Sequence, residues 1–471
     1  MYKILRLVLL LFTVFSIQDS KAQCSISVSQ STDKVCAGSP VTLRAQLSRL
    51  NSGTGSNGSI SVSSTYHTDS IRSAVSGNNA SGTNTITVAS ATGFAVGQEV
   101  LIITMVDPAT TGNLVGQYEF AIIASITSNT LTLTQNKVNT YNASATIKHQ
   151  VIRVPQYQNV VVNTNGVLTC NAWNGTTGGV LAFRASGTLT VNSGGSINAV
   201  GKGYRGIAHN TAKYQNANGA QGEGIYGQGY MGASSNGQNG SWNNAFGNGG
   251  GGGTGTGDAG GGGGGGYAAV GSIGQAWGGH LGGNGGEIIG ANSLARLYLG
   301  GAGGEGGADE DGGHPGPGAN GGGIIFVAAS TIAGTGSITA NGAVGGTATN
   351  NFSGSGAGMA GGGGGAGGSL QIQASVITLA GSSITATGGN GGGNNGAGAV
   401  GGAGSSGRIR IDMNGTIPVT NPVAYQGTFS PLTAGSTFTW SNSATTDSIV
   451  VSPSVNTTYS VTGVNLSLIH I

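Results

Sequence analysis

The sequence predicts an all-β protein whose main part is a right-handed parallel β-helix, a solenoid of stacked strand–turn–strand units. The principal observation is a phrase of short strands that recurs at 179–201, 323–342 and 369–388 and begins again at 407–412. A recurring unit of this kind buries its apolar face only against the next unit, which is typical of a solenoid. The second observation is the near absence of helix signals, because Gly and β-branched residues dominate the chain.

The recurring phrase ends in the element Ile-x-Ala-x-Gly, at 197–201, 338–342 and 384–388. Side chains two residues apart on a strand point to the same face of a sheet. We therefore expect one Ile and one Ala from each copy to point inward and to stack in successive coils. These residues are Ile197, Ile338, Ile384, Ala199, Ala340 and Ala386.

Glycine accounts for 96 of the 471 residues, which is about three times average usage. Only 7% of the residues are charged and 6% are aromatic, which argues against charge-driven disorder and against an ordinary globular core. Two interpretations of the glycine tracts, of which 260–266 is unbroken, stay open. The tracts are flexible linkers, or they are polyproline II strands whose backbones pack together because side chains are absent.

The first residues, 1–22, have the features of a signal peptide. Lys3 and Arg6 form a basic start, and the apolar run 7–17 is too short to span a bilayer. Small residues then occupy the two positions that a signal peptidase recognises, so we expect cleavage before Gln23. An uncleaved anchor and a lipoprotein are the alternatives. The predicted location is secreted or on the cell surface.

Removal of this segment makes the mature chain electrically neutral. The segment carries three basic residues and one acidic residue, so the formal charge of +2 falls to zero. Binding to nucleic acid requires a basic stripe that neutralises phosphates, and the sequence has none. We expect no nucleic-acid partner, and no transmembrane segment in the mature chain, because no other apolar run is long enough.

Three cysteines make a poor disulfide framework for an exported protein. Cys24 and Cys36 could pair, which would leave Cys170 alone. Three unpaired thiols are an equally open alternative.

The two ends of the chain, 23–48 and 424–465, contain complementary strand patterns of one module. They resemble the Ig-like domains of exported bacterial surface proteins, and the tail 466–471 looks truncated. The resemblance is carried by Cys36, Gly38, Val41, Thr42, Leu43, Phe438, Trp440, Ser441, Ile449, Val451, Pro453, Thr458, Tyr459 and Val461. The halves form one sandwich with everything else inserted at a loop, or they are two truncated modules.

Three segments are predicted between these ends. Residues 49–84 are rich in Ser, Gly, Asn and Thr, which favours a linker that leads into the next module. Residues 85–162 contain short strands punctuated by turn formers, which indicates a small β-barrel or β-sandwich. Residues 163–415 form the glycine-rich solenoid.

The part from about 65 to 412 contains four specific motifs. They are Gly93-Phe94, Val-Ile-Arg-Val-Pro at 151–155, Ala-Trp-Asn-Gly-Thr-Thr-Gly-Gly at 172–179 and Gly-Lys-Gly-Tyr-Arg-Gly at 201–206. This part resembles a family of exported bacterial glycine-rich parallel β-helix surface proteins. The resemblance implies a surface location and supplies no catalytic residues.

Aromatic residues among Gly and Asn are the candidate binding residues. We single out Tyr204, Trp242, Tyr267 and Trp277 because exposed rings on rigid loops can stack on the C–H faces of sugars. The alternative, which we favour, is that such rings cap the solenoid and anchor its loops.

One acidic cluster is a candidate calcium site. Glu305, Asp309 and Asp311 are carboxylates on a glycine-rich stretch that could wrap a hard cation. A solvated acidic loop is the favoured alternative. No other cofactor is predicted.

The predicted function is an exported structural or adhesive cell-surface protein without catalysis, with extracellular glycans or other surface components as partners. The runner-up is a carbohydrate-active β-helix enzyme, a polysaccharide lyase or hydrolase. That chemistry needs converging carboxylates, and the charged positions on the solenoid strands are few. They are Arg184, Arg408, Arg410 and Asp412. Ice or mineral binding is a third class, but Asn198 breaks the row that Thr339 and Thr385 begin.

Overall fold

The computed structural model describes most of the chain between residue 25 and residue 465. The described residues are 4–6, 25–30, 34–48, 50–109, 113–206, 218–229, 247–253, 259–308, 314–349, 358–379, 384–394, 398–413, 424–428, 436–446, 448–455 and 457–465. They form strands, turns and extended tracts, and no helix is among them. The described part of the protein is therefore all-β, as the sequence predicts. None of the helices that a membrane crossing would require is found in it.

The strands are numbered in chain order. They are β1 (Ile4–Arg6), β2 (Ser25–Gln30), β3 (Lys34–Cys36), β4 (Val41–Ser48), β5 (Ile60–Val62), β6 (Thr65–His67), β7 (Arg72–Ala74), β8 (Thr85–Thr87), β9 (Glu99–Val106), β10 (Tyr118–Thr127), β11 (Thr130–Leu133), β12 (Lys148–Arg153), β13 (Gln156–Tyr157), β14 (Val160–Val162), β15 (Val167–Thr169), β16 (Val180–Val191), β17 (Ser196–Asn198), β18 (Ile324–Gly334), β19 (Ser337–Thr339), β20 (Ser369–Ile377), β21 (Ile384–Thr385), β22 (Arg408–Met413), β23 (Ala424–Thr428), β24 (Ser436–Trp440), β25 (Ser448–Val451) and β26 (Val461–Asn465).

The chain divides into two compact units. The terminal unit combines Met1–Asn51 with Thr428–Ile471, and the central unit is Ser52–Gly427. In the terminal unit, β4 pairs antiparallel with both β2 and β25, β24 pairs with β26, and β1 pairs with β3. The two ends of the chain thus share a sheet, in which Leu43 lies opposite Ile449. An Ig-like sandwich stays a prediction.

The central unit contains two sheets in which the strands from β5 to β22 pair in parallel. The larger sheet has the order β23-β22-β20-β18-β16-β14-β5, with β13 also paired to β16, and the smaller has the order β21-β19-β17-β15-β6. Chain neighbours such as β16 and β17, or β18 and β19, lie in different sheets. Each repeat of the sequence phrase therefore contributes one strand to each sheet, and the inward side chains of both sheets form one apolar core.

The Ile-x-Ala element stacks as the sequence predicts. Ile197 lies in register with Ile338, and Ile338 with Ile384, along the smaller sheet. All three side chains are buried, and so are the Ala residues two positions later. Leu168 of β15 lies opposite Ile197 and extends the row of Ile side chains by one strand.

Two boundaries differ from the prediction. The segment expected to be a linker, 49–84, contains β5 and β6, which pair in register with β14 and β15 of the parallel sheets. The segment 156–162, assigned to the preceding module, also belongs to the parallel sheets. Three-residue strands in a Ser-rich segment have too little apolar pattern to identify, because their pairing partners are about 100 residues away.

The module inserted between β6 and β13 is a six-stranded antiparallel sheet. Its order is β7-β12-β9-β10-β11-β8, so it covers residues 72–153 rather than 85–162. The central strand β9 is buried along its whole length. Side chains such as Ile86, Ile102 and Val151 form the core on one face of this sheet.

The glycine tracts between β17 and β22 pack into a bundle of extended chains, the glycine bundle. Its central tract, 260–266, exchanges backbone hydrogen bonds with six other tracts. Those tracts are 247–253, 271–275, 281–287, 299–308, 358–368 and 398–407. The partner changes with a period of three residues: the amides of Gly262 and Gly265 donate to Gly361 and Gly364 of one neighbour. Three residues per turn is the period of polyproline II.

The bundle leaves no room for side chains at its inner positions. A Cβ added to Gly263 would overlap the carbonyl oxygen of Asn284, and one added to Gly264 would overlap that of Ala403. The same holds along most of the tracts. Of the two interpretations of the glycine tracts, packed backbones therefore describe these tracts, and flexible linkers do not.

One end of the bundle continues into the parallel sheets. The tracts 314–323, 358–368 and 398–407 run directly into β18, β20 and β22. The opposite end, which we call the far end, contains two small clusters of buried side chains among the described residues. They comprise Ala259, Ala360 and Ala399, and Ala308, Ala348 and Met359.

Replacing one inner glycine should disrupt the bundle. We expect Gly264→Ala to lower the free energy of unfolding by about 3 kcal/mol or more, because backbone must move to admit the methyl group. The matched control is Gly393→Ala, whose added Cβ would lie 3.6 Å from the Thr347 methyl carbon in an ordinary contact. The control should change stability by less than about 1 kcal/mol. Denaturant unfolding measures both, and equal stability of the two variants would contradict the packing.

Candidate functional site

Among the described residues at the far end of the bundle, Trp277 is an exposed aromatic side chain on a tight turn. Trp277 and His280 exchange two backbone hydrogen bonds, of 3.0 and 2.8 Å, across Gly278 and Gly279. Both glycines have positive φ, +55° and +86°, which a two-residue turn of this type requires. The turn joins the tracts 271–275 and 281–287. Trp277 is 41% exposed, so its ring is available to a ligand.

Two of the four predicted binding residues are buried, which corrects the prediction. Tyr204 is fully buried, and its hydroxyl donates to the carbonyl of Met105 in the antiparallel module. Tyr267 is fully buried, and its hydroxyl lies 2.6 Å from Ser369 Oγ at the start of β20. Burial raises the pKa of both phenols. These rings anchor the bundle to its surroundings, which was the favoured alternative.

The remaining predicted binding residue, Trp242, lies outside the described residues. Of the four aromatic side chains that the sequence singled out, the structure therefore supports accessibility for Trp277. The signal that distinguishes it is the Trp-Gly-Gly-His sequence, which predicts a two-residue turn with positive φ at both glycines.

Glu305 of the predicted calcium site belongs to the bundle and not to a loop, which corrects that part of the prediction. It is buried, and its Oε2 accepts a hydrogen bond of 3.0 Å from the amide of Ala220. Asp309 and Asp311 lie outside the described residues. Within the part of the chain that the structure describes, no three His, Cys, Asp or Glu side chains are grouped to hold a metal ion.

The predicted disulfide stays a prediction, because the side chains of Cys24 and Cys36 lie outside the described part. Cys170 is buried at the end of β15 as a free thiol. Burial, and then the nearby carboxylate of Asp69, raise the pKa of this thiol well above its usual range. Cys170 therefore acts as a small core residue rather than as a nucleophile.

The charged residues on the parallel strands have partners within the protein: Arg184 and Arg410 form ion pairs, and Arg408 donates to Asn292 and to the carbonyls of Ile289 and Gly290. Arg184 Nε lies 2.7 Å from Glu99 Oε2, and its guanidinium also stacks on the rings of Phe120 and Phe326. Glu99 and Phe120 belong to the antiparallel module, whereas Arg184 and Phe326 belong to the larger parallel sheet. The pair thus ties the inserted module to the stack.

Two other buried carboxylates also form ion pairs with arginine side chains. Glu223 pairs with Arg205 at 2.9 Å and accepts a hydrogen bond from the Trp173 indole, and Asp412 pairs with Arg410 at 2.9 Å. These side chains have structural partners on the described chain. A charge inside the apolar run Val-Leu-Ala-Phe-Arg-Ala was the sequence signal for a buried partner, but its identity depends on the fold.

Comparison with known proteins finds solved structures that align with part of this chain. No protein-family model and no curated protein sequence matches the chain. One solved structure that aligns with part of the chain is the Gp54 tailspike of Acinetobacter baumannii bacteriophage AP22, in complex with a capsular saccharide of A. baumannii. The alignment covers 30% of this chain and 28% of the tailspike, with 15% sequence identity and a TM-score of 0.18. The tailspike gp49 of Pseudomonas phage LKA1 aligns with 15% identity and a TM-score of 0.16 over 31% of this chain and 26% of its own.

A third tailspike, gp61 of Pseudomonas phage phi297, aligns with 15% identity and a TM-score of 0.15 over 27% of this chain and 29% of its own. In each alignment the chain spans less than a third of the tailspike's length. Similarity of this extent assigns neither an activity nor a ligand to the chain.

Loss of the buried ion pair should destabilise the central unit. We expect Glu99→Gln to lower the free energy of unfolding by about 3 kcal/mol or more, because Arg184 stays buried without its counter-charge. Glu287→Gln makes the same change at an exposed position and should have an effect within about 0.5 kcal/mol. Thermal or denaturant unfolding distinguishes them. An unchanged stability of Glu99→Gln would show that Arg184 is satisfied without Glu99.

Proposed function

We propose that the protein is an exported, non-enzymatic structural or adhesive surface protein that makes weak, multivalent contacts with neutral glycans. The observation that carries the proposal is the arrangement of the glycine bundle, which joins the parallel sheets at one end and presents the exposed Trp277 turn at the other. A scaffold of this kind holds recognition groups at a fixed distance from its base. It suits display rather than turnover.

In this proposal the two parallel sheets are the coils of a right-handed β-solenoid. The in-register rows of Ile and the alternation of strands between the two sheets support it. The hand follows from the strong preference for right-handed connections between parallel strands. The glycine bundle and the antiparallel module are then insertions between coils.

The terminal unit is proposed as an Ig-like module that spaces the central unit from the cell, and 1–22 as the export signal. The pairing of β4 with β25 supports a single module built from both ends of the chain. Insertion of a whole domain at a loop is tolerated when the ends of the insert lie close together.

Neutral glycans are the proposed ligand class because of the chemistry that the chain offers. Its mature form has zero formal charge, which gives anionic polymers no electrostatic attraction. A tryptophan ring packs against the C–H face of a sugar, while amide and hydroxyl groups nearby exchange hydrogen bonds with its hydroxyls. One such site binds weakly, and many copies on one surface supply avidity.

The test is binding of the full mature chain to an array of neutral glycans, compared with the double variant Trp242→Ala, Trp277→Ala. We expect the variant to bind at least about tenfold more weakly, because each lost ring removes apolar contact with the sugar. Tyr66→Ala is the matched aromatic control, since Tyr66 is 45% exposed on the smaller parallel sheet, and it should bind like the wild type.

Each other outcome contradicts part of the proposal. Equal binding by the double variant would remove these two rings from the site. No binding by the wild type would leave a purely structural role. Release of shortened oligosaccharides from a polysaccharide would establish the enzymatic alternative.

A further inference from the structure

One side of the glycine bundle, next to the Trp277 turn, ends in a tract whose hydrogen-bonded neighbours, among the described residues, lie on its inner sides. This edge tract comprises residues 270–276. Its Ser272 carbonyl accepts from Gly264 of the central tract, its Gly271 amide donates to Gly286, and its Ser272 amide donates to Ala403. The edge tract is therefore held in place by three other tracts.

The outward positions of the edge tract recur every three residues. Val270, Ile273 and Ala276 are exposed, Val270 and Ile273 by 58% and 65%, and the polar residues Ser272 and Gln275 beside them are exposed as well. Within the described part of the chain, the backbone N–H and C=O of Val270 and Ile273 make no hydrogen bond. Apolar side chains thus alternate with unused donors and acceptors along the outside of the tract.

The two neighbouring tracts extend this row into a surface. Gly274 donates to Gly283 on one side, and Gln275 donates to Val400 on the other, so the outward residues of three tracts lie side by side. We call this surface the lattice face. It comprises Val270, Ile273, Ala276, Leu281, Asn284, Glu287, Val400, Ala403 and Ser406.

The lattice face is amphiphilic and has almost no charge. It contains no basic residue, and Glu287 at its margin is its single acid. Its side chains are aliphatic, amide and hydroxyl groups. The periodicity of the bundle repeats them about every 9 Å along each tract, the rise of three polyproline II residues.

Side chains at the outward positions also exclude another glycine tract as the occupant. Inside the bundle a neighbouring backbone lies where a Cβ would be, as for Gly264 and Ala403. Val270 and Ile273 carry large side chains at the equivalent outward positions, which keeps another glycine tract from packing at the same close distance. In the described part of the chain, the bundle ends at this row.

We propose that the lattice face binds a neutral polysaccharide chain laid along the edge tract. Sugar hydroxyls would satisfy the free N–H and C=O groups of Val270 and Ile273, and the C–H faces of the rings would cover their side chains. A ligand with a repeating structure suits a surface with a repeating structure. This inference rests on the proposed function and names the surface that performs it.

The experiment compares two substitutions on an array of neutral glycans, with the full mature chain. Ile273→Asp places a carboxylate in the middle of the lattice face, where binding would have to desolvate it. Val344→Asp is the control: Val344 is also 65% exposed, on the tract 340–348, which shares no hydrogen bond with the edge tract. We expect Ile273→Asp to bind at least about tenfold more weakly and Val344→Asp to bind like the wild type.

The outcomes separate the two proposals. Wild-type binding that Ile273→Asp leaves unchanged, or that both variants weaken equally, overturns the lattice face and leaves glycan binding in place. No wild-type binding overturns both. Light scattering serves as a second measurement, and a wild-type dimer that Ile273→Asp converts to a monomer would identify a second copy as the occupant and overturn the inference.

Discussion

The structure depends on the close approach of backbones in the glycine bundle, where most of the inner glycines have no space for a Cβ atom. Ordering glycine costs roughly 0.5–1 kcal/mol more per residue than ordering alanine. Each hydrogen bond between tracts contributes roughly 0.5–1.5 kcal/mol. The two terms are comparable, so the bundle is stable only if almost every inner amide is paired. The tract 260–266 meets this requirement because it exchanges hydrogen bonds with six other tracts.

This constraint determines where side chains can occur. Large side chains are few between the tracts, where Glu305 is buried beside small residues such as Ala302 and Ala360. Most of the larger side chains lie on the outer sides of the tracts or where the tracts adjoin other parts of the central unit. Tyr204 and Tyr267 anchor the bundle to the antiparallel module and to β20. Arg184 and Glu99 tie that module to the parallel sheets. The row that includes Val270 and Ile273 is the outermost one in the described part of the bundle.

The sequence predicts the stacked parallel strands well, because apolar residues recur in them at the same positions of each repeat. Ile197, Ile338 and Ile384 were identified from the repeated phrase, and they stack in register. The strands β5 and β6 were missed, since short strands in a Ser-rich segment are defined by distant partners. The pairing of strands supports the proposed solenoid and Ig-like folds.

The candidate site was less predictable for a related reason. An aromatic residue among glycines gives no indication of which backbones will surround it, so Tyr204 and Trp277 look alike in sequence although one is buried and the other exposed. The register of the tracts is equally hidden. Consecutive glycines have no side chains to fix the pairing, and the partners of 260–266 come from six separate parts of the chain.

The most direct test of this account is residue-resolved amide hydrogen exchange in the native protein. If the bundle is a paired backbone lattice, the amides of Gly261 to Gly266 should exchange as slowly as those of β18, through unfolding of the central unit. The amide of Ile273, on the outside of the edge tract, should exchange rapidly. Rapid exchange throughout 260–266 would show that the tracts are not packed, and would contradict the account.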